Sequence, residues 1–163
     1  MSIKLNNILV AKDLSKQSSS VIRYALELGC KFHAQVHVLH VMPTVDSSVL
    51  NMVALTMGAD NLAKFNAVNE AELAEKTRDQ LHSIIKDETE LLEEEEVNPP
   101  KIEVHHGDPA PMILNVADRL DADMIILGSH SKGKLHYAFL GSVAEKILRK
   151  THRAVTIVPP QVE

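Results

Sequence analysis

Aromatic residues make up only 3% of this 163-residue chain, tryptophan is absent, and cysteine occurs once, at Cys30. So few aromatics leave no stacking platform for single-stranded nucleic acid, and the charge balance points the same way. The formal net charge is -5, yet the segment Asp87 to Glu96 alone holds seven carboxylates and no Lys or Arg, so the remainder is close to neutral. A nucleic-acid partner is not expected. A single cysteine permits neither an intrachain disulfide nor a thiolate-rich zinc site, and it suits a reducing compartment. No run reaches the ~18 apolar residues of a membrane span, and Met1 to Ala11 lacks the charged start and cleavage site of a secretory signal. The expectation is a soluble cytoplasmic protein with no membrane partner.

What is present is a regular alternation of short apolar runs and amphipathic segments. Ile8 to Ala11 is too short for a helix and reads as a buried strand. Val21, Ile22, Ala25, Leu26 and Gly29 share one helical face, which predicts a helix over roughly Lys16 to Phe32. Gln35 to Val41 reads as the second strand, ending before Pro43. Thr44 to Asp60 shows no sustained period and is expected to be a long mobile crossover, placed to act as a lid. From about Asn61 to Leu92 the pattern is helical, with Leu73, Thr77, Leu81, Ile84 and Leu91 on one face. The acidic run at its end reads as a solvated, frayed terminus.

Asn98-Pro99-Pro100 breaks the chain, and Ile102 to His106 alternates as a third strand. Asp108 is placed to cap a helix that Pro109 opens, with Ile113, Val116, Ala117 and Leu120 as its buried stripe. Met124 to Leu127 is a fourth apolar run, Ser142 to Lys150 a helix with a basic end, and Ala154 to Val158 a last strand. The order predicts one domain over residues 1–163. Its fold class is α/β: a doubly wound, five-stranded, mostly parallel sheet with helices on both faces.

In such sheets ligands sit at the carboxyl ends of the strands, where the strand order reverses. The candidate loops are Lys12 to Ser15, Val41 to Thr44, Gly107 to Pro109 and Gly128 to Ser142. Only the last is rich in glycine, and it follows the fourth strand, so the G-x-G-x-x-G turn of NAD and FAD folds is missing after the first. Gly128 to Lys134 fits the first seven positions of a P-loop, but Leu135 stands where a magnesium-binding hydroxyl is required. Backbone N–H groups in the loop and at the helix start nevertheless suit an anion, and a nucleotide phosphate fits best.

His130 between two serines lacks a G-x-S-x-G elbow and makes no triad. No catalytic residue is assigned. His37, His40, His105 and His106 could approach one another across neighbouring strands as a metal site, or be ordinary strand histidines; no metal ligand is assigned.

Gly128-x-x-Ser131, nine residues, then Gly141-Ser142 resembles the G-x-x-G, nine residues, G-[ST] signature of the nucleotide-binding members of the universal stress protein family, with Ser131 replacing one glycine. The resemblance runs the length of the chain, through the strand ending near Asp13, the strand end at Val41, Gly107-x-Pro109, Asp123 to His130, and Gly141 to Lys146. It implies a Rossmann-like fold of the adenine nucleotide alpha hydrolase type. It also implies an adenine nucleotide, ATP or else AMP or ADP, with magnesium or manganese, in a dimeric cytoplasmic stress-response protein acting on an unidentified regulatory partner. By position, Asp13 and Val41 would meet the adenosine part, while Gly128, Ser129, His130, Ser131, Gly141, Ser142 and Val143 would cradle ribose and phosphates.

Four of these have plainer readings: Asp13 as a cap of the first helix, Val41 as core, and Gly128 and Gly141 as structural turn glycines. Ser131 lacks the backbone freedom of glycine but keeps a hydroxyl donor. The homodimer is expected through Ala154 to Val158, an uncharged edge that needs covering. Two other functions stay open: slow ATP hydrolysis or autophosphorylation at the same site, and a dimeric interaction protein without ligand.

Overall fold

The structure is a computed structural model that describes residues 4–13, 19–44, 47–92, 98–129 and 140–159. Five strands, β1 (Asn7–Ala11), β2 (Gln35–Met42), β3 (Lys101–His106), β4 (Met124–Gly128) and β5 (Ala154–Val158), form one sheet in the order β3-β2-β1-β4-β5. Every neighbouring pair is parallel. The helices are α1 (Ser19–Phe32), α2 (Ser47–Met57), α3 (Ala59–Glu90), α4 (Pro109–Arg119) and α5 (Ser142–Lys150).

Alternation along the central strands divides the core in two. Ile8 and Val10 of β1, Val36 and Val38 of β2 and Ile126 of β4 meet Val21, Ile22, Ala25 and Leu26 of α1 and Leu81 and Ile85 of α3. Leu9, Leu39, Ile125 and Leu127 face the other way, against Ala110, Ile113, Val116 and Ala117 of α4 and Ala144 and Ile147 of α5. A sheet covered on both faces needs this run of apolar residues with no polar alternate, which is what β1 and β4 carry.

Two expectations are corrected. Thr44 to Asp60 is not a structureless crossover, because it contains α2. That helix has no charged residue, and its apolar side chains point both ways: Leu50, Val53 and Ala54 are half-buried while Val49, Met52 and Leu55 are exposed. No one-sided period exists for a sequence reading to find.

Leu73 and Leu91, expected on the buried face of α3, are exposed, whereas Thr77, Leu81 and Ile85 are buried. The reason is length. At ~1.5 Å per residue, the 32 residues of α3 span ~48 Å, about twice the length of any strand beneath it. Between Leu62 and Thr77 no described residue of α3 is buried. Asp108 does occupy the N-cap position of α4, with Pro109 in the first turn, but its side chain makes no capping hydrogen bond. The acidic end expected after Leu92 falls largely on residues 93–97, outside the described residues.

Gly29 lets α1 approach β2 closely, since a Cβ there would lie 2.5 Å from Val36 Cγ2. In Gly29→Ala, overpacking of ~1–3 kcal/mol is set against the ~1 kcal/mol by which alanine favours a helix. Urea unfolding is expected to show a net loss of up to ~2 kcal/mol, part of it recovered when Val36→Ala is added.

Beneath α4, His37 is 5% exposed and its Nδ1 has no hydrogen-bond partner. Burial pushes its pKa down, Lys101 and Arg119 push the same way, and Glu103 opposes them. Glu103 is itself raised by burial, but hydrogen bonds from His105 and Arg119 outweigh this and hold it below the usual range. His105 Nε2 lies 2.8 Å from Glu103 Oε2. Below pH ~6.5 the unfolded chain therefore binds a proton at His37 that the folded chain refuses, and stability falls with falling pH. Glu103 adds its loss only at more acid pH, near the carboxylate range. His37→Leu is expected to flatten the first of these limbs in unfolding curves taken from about pH 7 to 5.

Candidate nucleotide site

The strand order turns back between β1 and β4: from β1 the chain leaves for α1 on one face, while α5, which follows β4, lies on the other. Between their carboxyl ends lies a cavity of about 400 Å³. Seven of the nine residues singled out in the sequence line it: Asp13, Val41, Gly128, Ser129, Gly141, Ser142 and Val143. His130 and Ser131 lie outside the described residues.

Backbone hydrogen bonds fix the rim. Ser129 N–H donates to Val158 O at 3.0 Å, which ties the end of β4 to β5. Gly141 N–H donates to Ser129 O, also at 3.0 Å, so the two ends of the loop are pinned together. A Cβ on Gly141 would stand 3.1 Å from that same oxygen, so the close approach itself calls for glycine. Gly141 has φ -62° and ψ 149°, an extended N-cap, and its carbonyl accepts the N–H of Glu145 at 2.9 Å.

The N–H groups of Ser142, Val143 and Ala144 precede the first intrahelical donor of α5, and the N-cap residue, Gly141, has no side chain to cap them. All three residues line the cavity. The positive end of the helix is thus directed at an open space of the size expected for a small-molecule ligand.

The remaining walls come from β1 and β2. Lys12 N–H donates to Leu39 O at 2.9 Å, continuing the β1–β2 ladder one residue past the strand. His40 Nδ1 lies 2.7 Å from Lys12 O. A carbonyl can only accept, so Nδ1 carries the proton and a neutral His40 keeps Nε2 as an acceptor. Val41 of β2 and Pro43 just beyond it, with Pro109 and Ile113 from α4, supply apolar surface. This combination of apolar walls with a few directed donors suits a ligand that has a flat apolar part and an anionic part.

Lys12 and His40 are lining residues that the sequence reading leaves without a role at this site. The signal for Lys12 was present: it continues the period-two row of Ile8 and Val10, which puts its stem on the side of α1 and α3. The histidines do not assemble into a metal site, since among the described residues no group of three His, Cys, Asp or Glu side chains is placed to hold an ion. No described helix is long and apolar enough to cross a membrane.

Comparison with known proteins agrees with this architecture. A universal stress protein of Synechocystis is 30% identical over 93% of this chain and 96% of its own. Another, from Methanocaldococcus jannaschii, is 27% identical over 97% of both chains. Among solved structures, the universal stress protein from Lactobacillus plantarum superposes with a TM-score of 0.68 at 18% identity, over 96% of this chain and 99% of that one. A universal stress protein in complex with cAMP gives 0.61 at 15% identity, over 96% and 98%. One from Archaeoglobus fulgidus in complex with dAMP gives 0.52 at 22% identity, over 95% and 98%. The sequence profile of the universal stress protein family matches residues 4–159, and the chain belongs to that family.

Proposed function

We propose that this chain is a cytoplasmic, nucleotide-binding regulatory protein that holds ATP, or AMP or ADP, in the cavity between β1 and β4. The observation that carries the reading is the N-terminus of α5, opened by Gly141, whose first N–H groups border a cavity with apolar walls at the carboxyl end of the sheet. Family members bound to cAMP and dAMP support an adenine nucleotide in particular. In this reading Asp13 and Val41 contact the adenosine part. Gly128, Ser129, Gly141, Ser142 and Val143, with His130 and Ser131, surround ribose and phosphates. Because no described cluster makes a metal site, magnesium or manganese would be held chiefly by the phosphates.

The functional unit in this proposal is a homodimer joined along β5, signalling to a protein partner through its ligand state. β5 is the edge of the sheet and carries no charge or proline to discourage pairing. Val155 and Ile157 pack on the α4–α5 core, so a lysine at either would damage the fold as well as the dimer. Light scattering of the unaltered protein is the cleaner test, and a monomer at micromolar concentration removes the dimer.

For the ligand, the purified protein is denatured and its supernatant analysed for nucleotide, and fresh protein is then titrated with magnesium and ATP in a calorimeter. Wild type is expected to bind about one ATP per chain. Ser131→Gly should bind equally well, or several-fold more tightly if glycine relieves a left-handed backbone costing about 1 kcal/mol or more. Gly141→Val should lose binding, with some loss of stability from the approach to Ser129 O. No binding by wild type and none gained by Ser131→Gly would leave the interaction-protein reading.

A further inference from the structure

Lys12 is a charged residue of the cavity wall with no part in the reading above. It is only 6% exposed, and lysines are almost never buried this deeply without a partner. Among the described residues no carboxylate lies within ion-pair distance of it. The negative groups that act on it are Asp13, next in the chain, and Glu88 of α3. Glu88 is itself buried and already engaged by Arg23 of α1, whose Nε lies 2.7 Å from Glu88 Oε2. That carboxylate is at hydrogen-bond distance from a guanidinium and acts on Lys12 only through space.

The backbone of Lys12 is held on both sides, by Leu39 O and by the His40 ring, so the residue cannot swing away without breaking the end of the sheet. A lysine whose residue is buried and which no described carboxylate pairs at ion-pair distance therefore borders the same cavity as the positive end of α5.

We propose that Lys12 is the charge-selecting residue of this site. Its ammonium meets a negatively charged group of the bound nucleotide, so the cavity takes phosphorylated ligands in strong preference to the uncharged nucleoside. The inference rests on the nucleotide reading and sharpens it, by assigning the preference for charge to a side chain on β1 in addition to the loop and helix after β4.

A pH dependence follows from the surroundings of Lys12. Burial lowers its proton affinity and Asp13 and Glu88 restore part of it, while Arg23 pairs with Glu88 and the His40 ring meets the backbone oxygen of Lys12. An arriving phosphate favours the charged amine, so binding at alkaline pH takes up a proton, and affinity declines as the pH rises past the pKa of the ligand-free lysine.

The experiment is calorimetric titration of wild type, Lys12→Met and Lys12→Arg with adenosine, AMP and magnesium ATP. Methionine keeps the length of the stem and removes the charge. Lys12→Met is expected to weaken ATP by about tenfold or more while leaving adenosine within about twofold, and Lys12→Arg to restore part of the loss. Wild type should also lose ATP affinity at alkaline pH where Lys12→Met does not. ATP bound by Lys12→Met as tightly as by wild type, or adenosine and ATP weakened in equal proportion, overturns the proposal. If wild type binds none of the three ligands, it is the nucleotide reading that has failed, and this inference with it. Should Lys12→Met not fold, Lys12→Gln reads out the same contrast.

Discussion

The pairing of β1 with β4 is the constraint on which the rest of the molecule depends. Their amino ends are locked by one carboxylate: Asp123 Oδ2 accepts the backbone N–H of Asn6 at 2.7 Å and of Asn7 at 3.0 Å, while Asp123 N–H donates to Asn7 O at 2.9 Å. From there the strands run in register, Ile8 with Met124 through Ala11 with Leu127, and end together. Because α1 and α5 lie on opposite faces, a cavity is left between them at the carboxyl end of this strand pair. The cavity is a consequence of topology, and its polarity a consequence of whose backbone ends there. A shift of β1 against β4 would move Lys12 and Asp13 relative to Gly128 and Ser129 and turn the apolar rows of β1 to the wrong faces.

The two sides of the cavity act on charge by different means. On the β4 side positive potential comes from peptide N–H groups, which cannot be titrated and need no side chain to hold them. On the β1 side it comes from a lysine whose surroundings, Asp13, Glu88 and Arg23, set how much of its charge is available. One contribution is fixed by the chain path and the other can be changed by a single substitution, so the site's architecture and its preference among ligands need not have the same origin.

The central strands were readable in the sequence because they are buried on both faces and so appear as uninterrupted apolar runs between polar turns, as Ile8 to Ala11 and Met124 to Leu127 do. The glycine-bounded loop was readable for a related reason. Gly141 must sit against Ser129 O, and few residues other than glycine tolerate such an approach. What escaped were features with no periodic signature. α2 is apolar on both sides because it packs on α3 with one and leaves the other exposed, so its sequence resembles a loop with scattered hydrophobic residues. Leu73 obeys the helical period of α3 yet lies exposed, because a period reports which way a residue points and not whether anything is there to meet it. Lys12 escaped because a lysine in a turn is ordinarily solvated, and only the packing of α1 and α3 over the end of β1 makes this one unusual.

The all-parallel sheet also sets an order of events during synthesis. With no hairpin among the described residues, every strand of the sheet must wait for a partner delivered by a helical crossover, and β1 must wait longest for β4, since Ile8 pairs with Met124. The first three strands can assemble with α1 and α3 while the chain is still emerging. The amino half of the molecule is then a half-sheet whose β1 edge, apolar on both faces, remains unpaired until some 130 residues have left the ribosome. Contacts this distant in sequence form slowly, so the slow step of folding and the completion of the cavity coincide. The cavity cannot exist before then, because its two walls come from distant parts of the sequence.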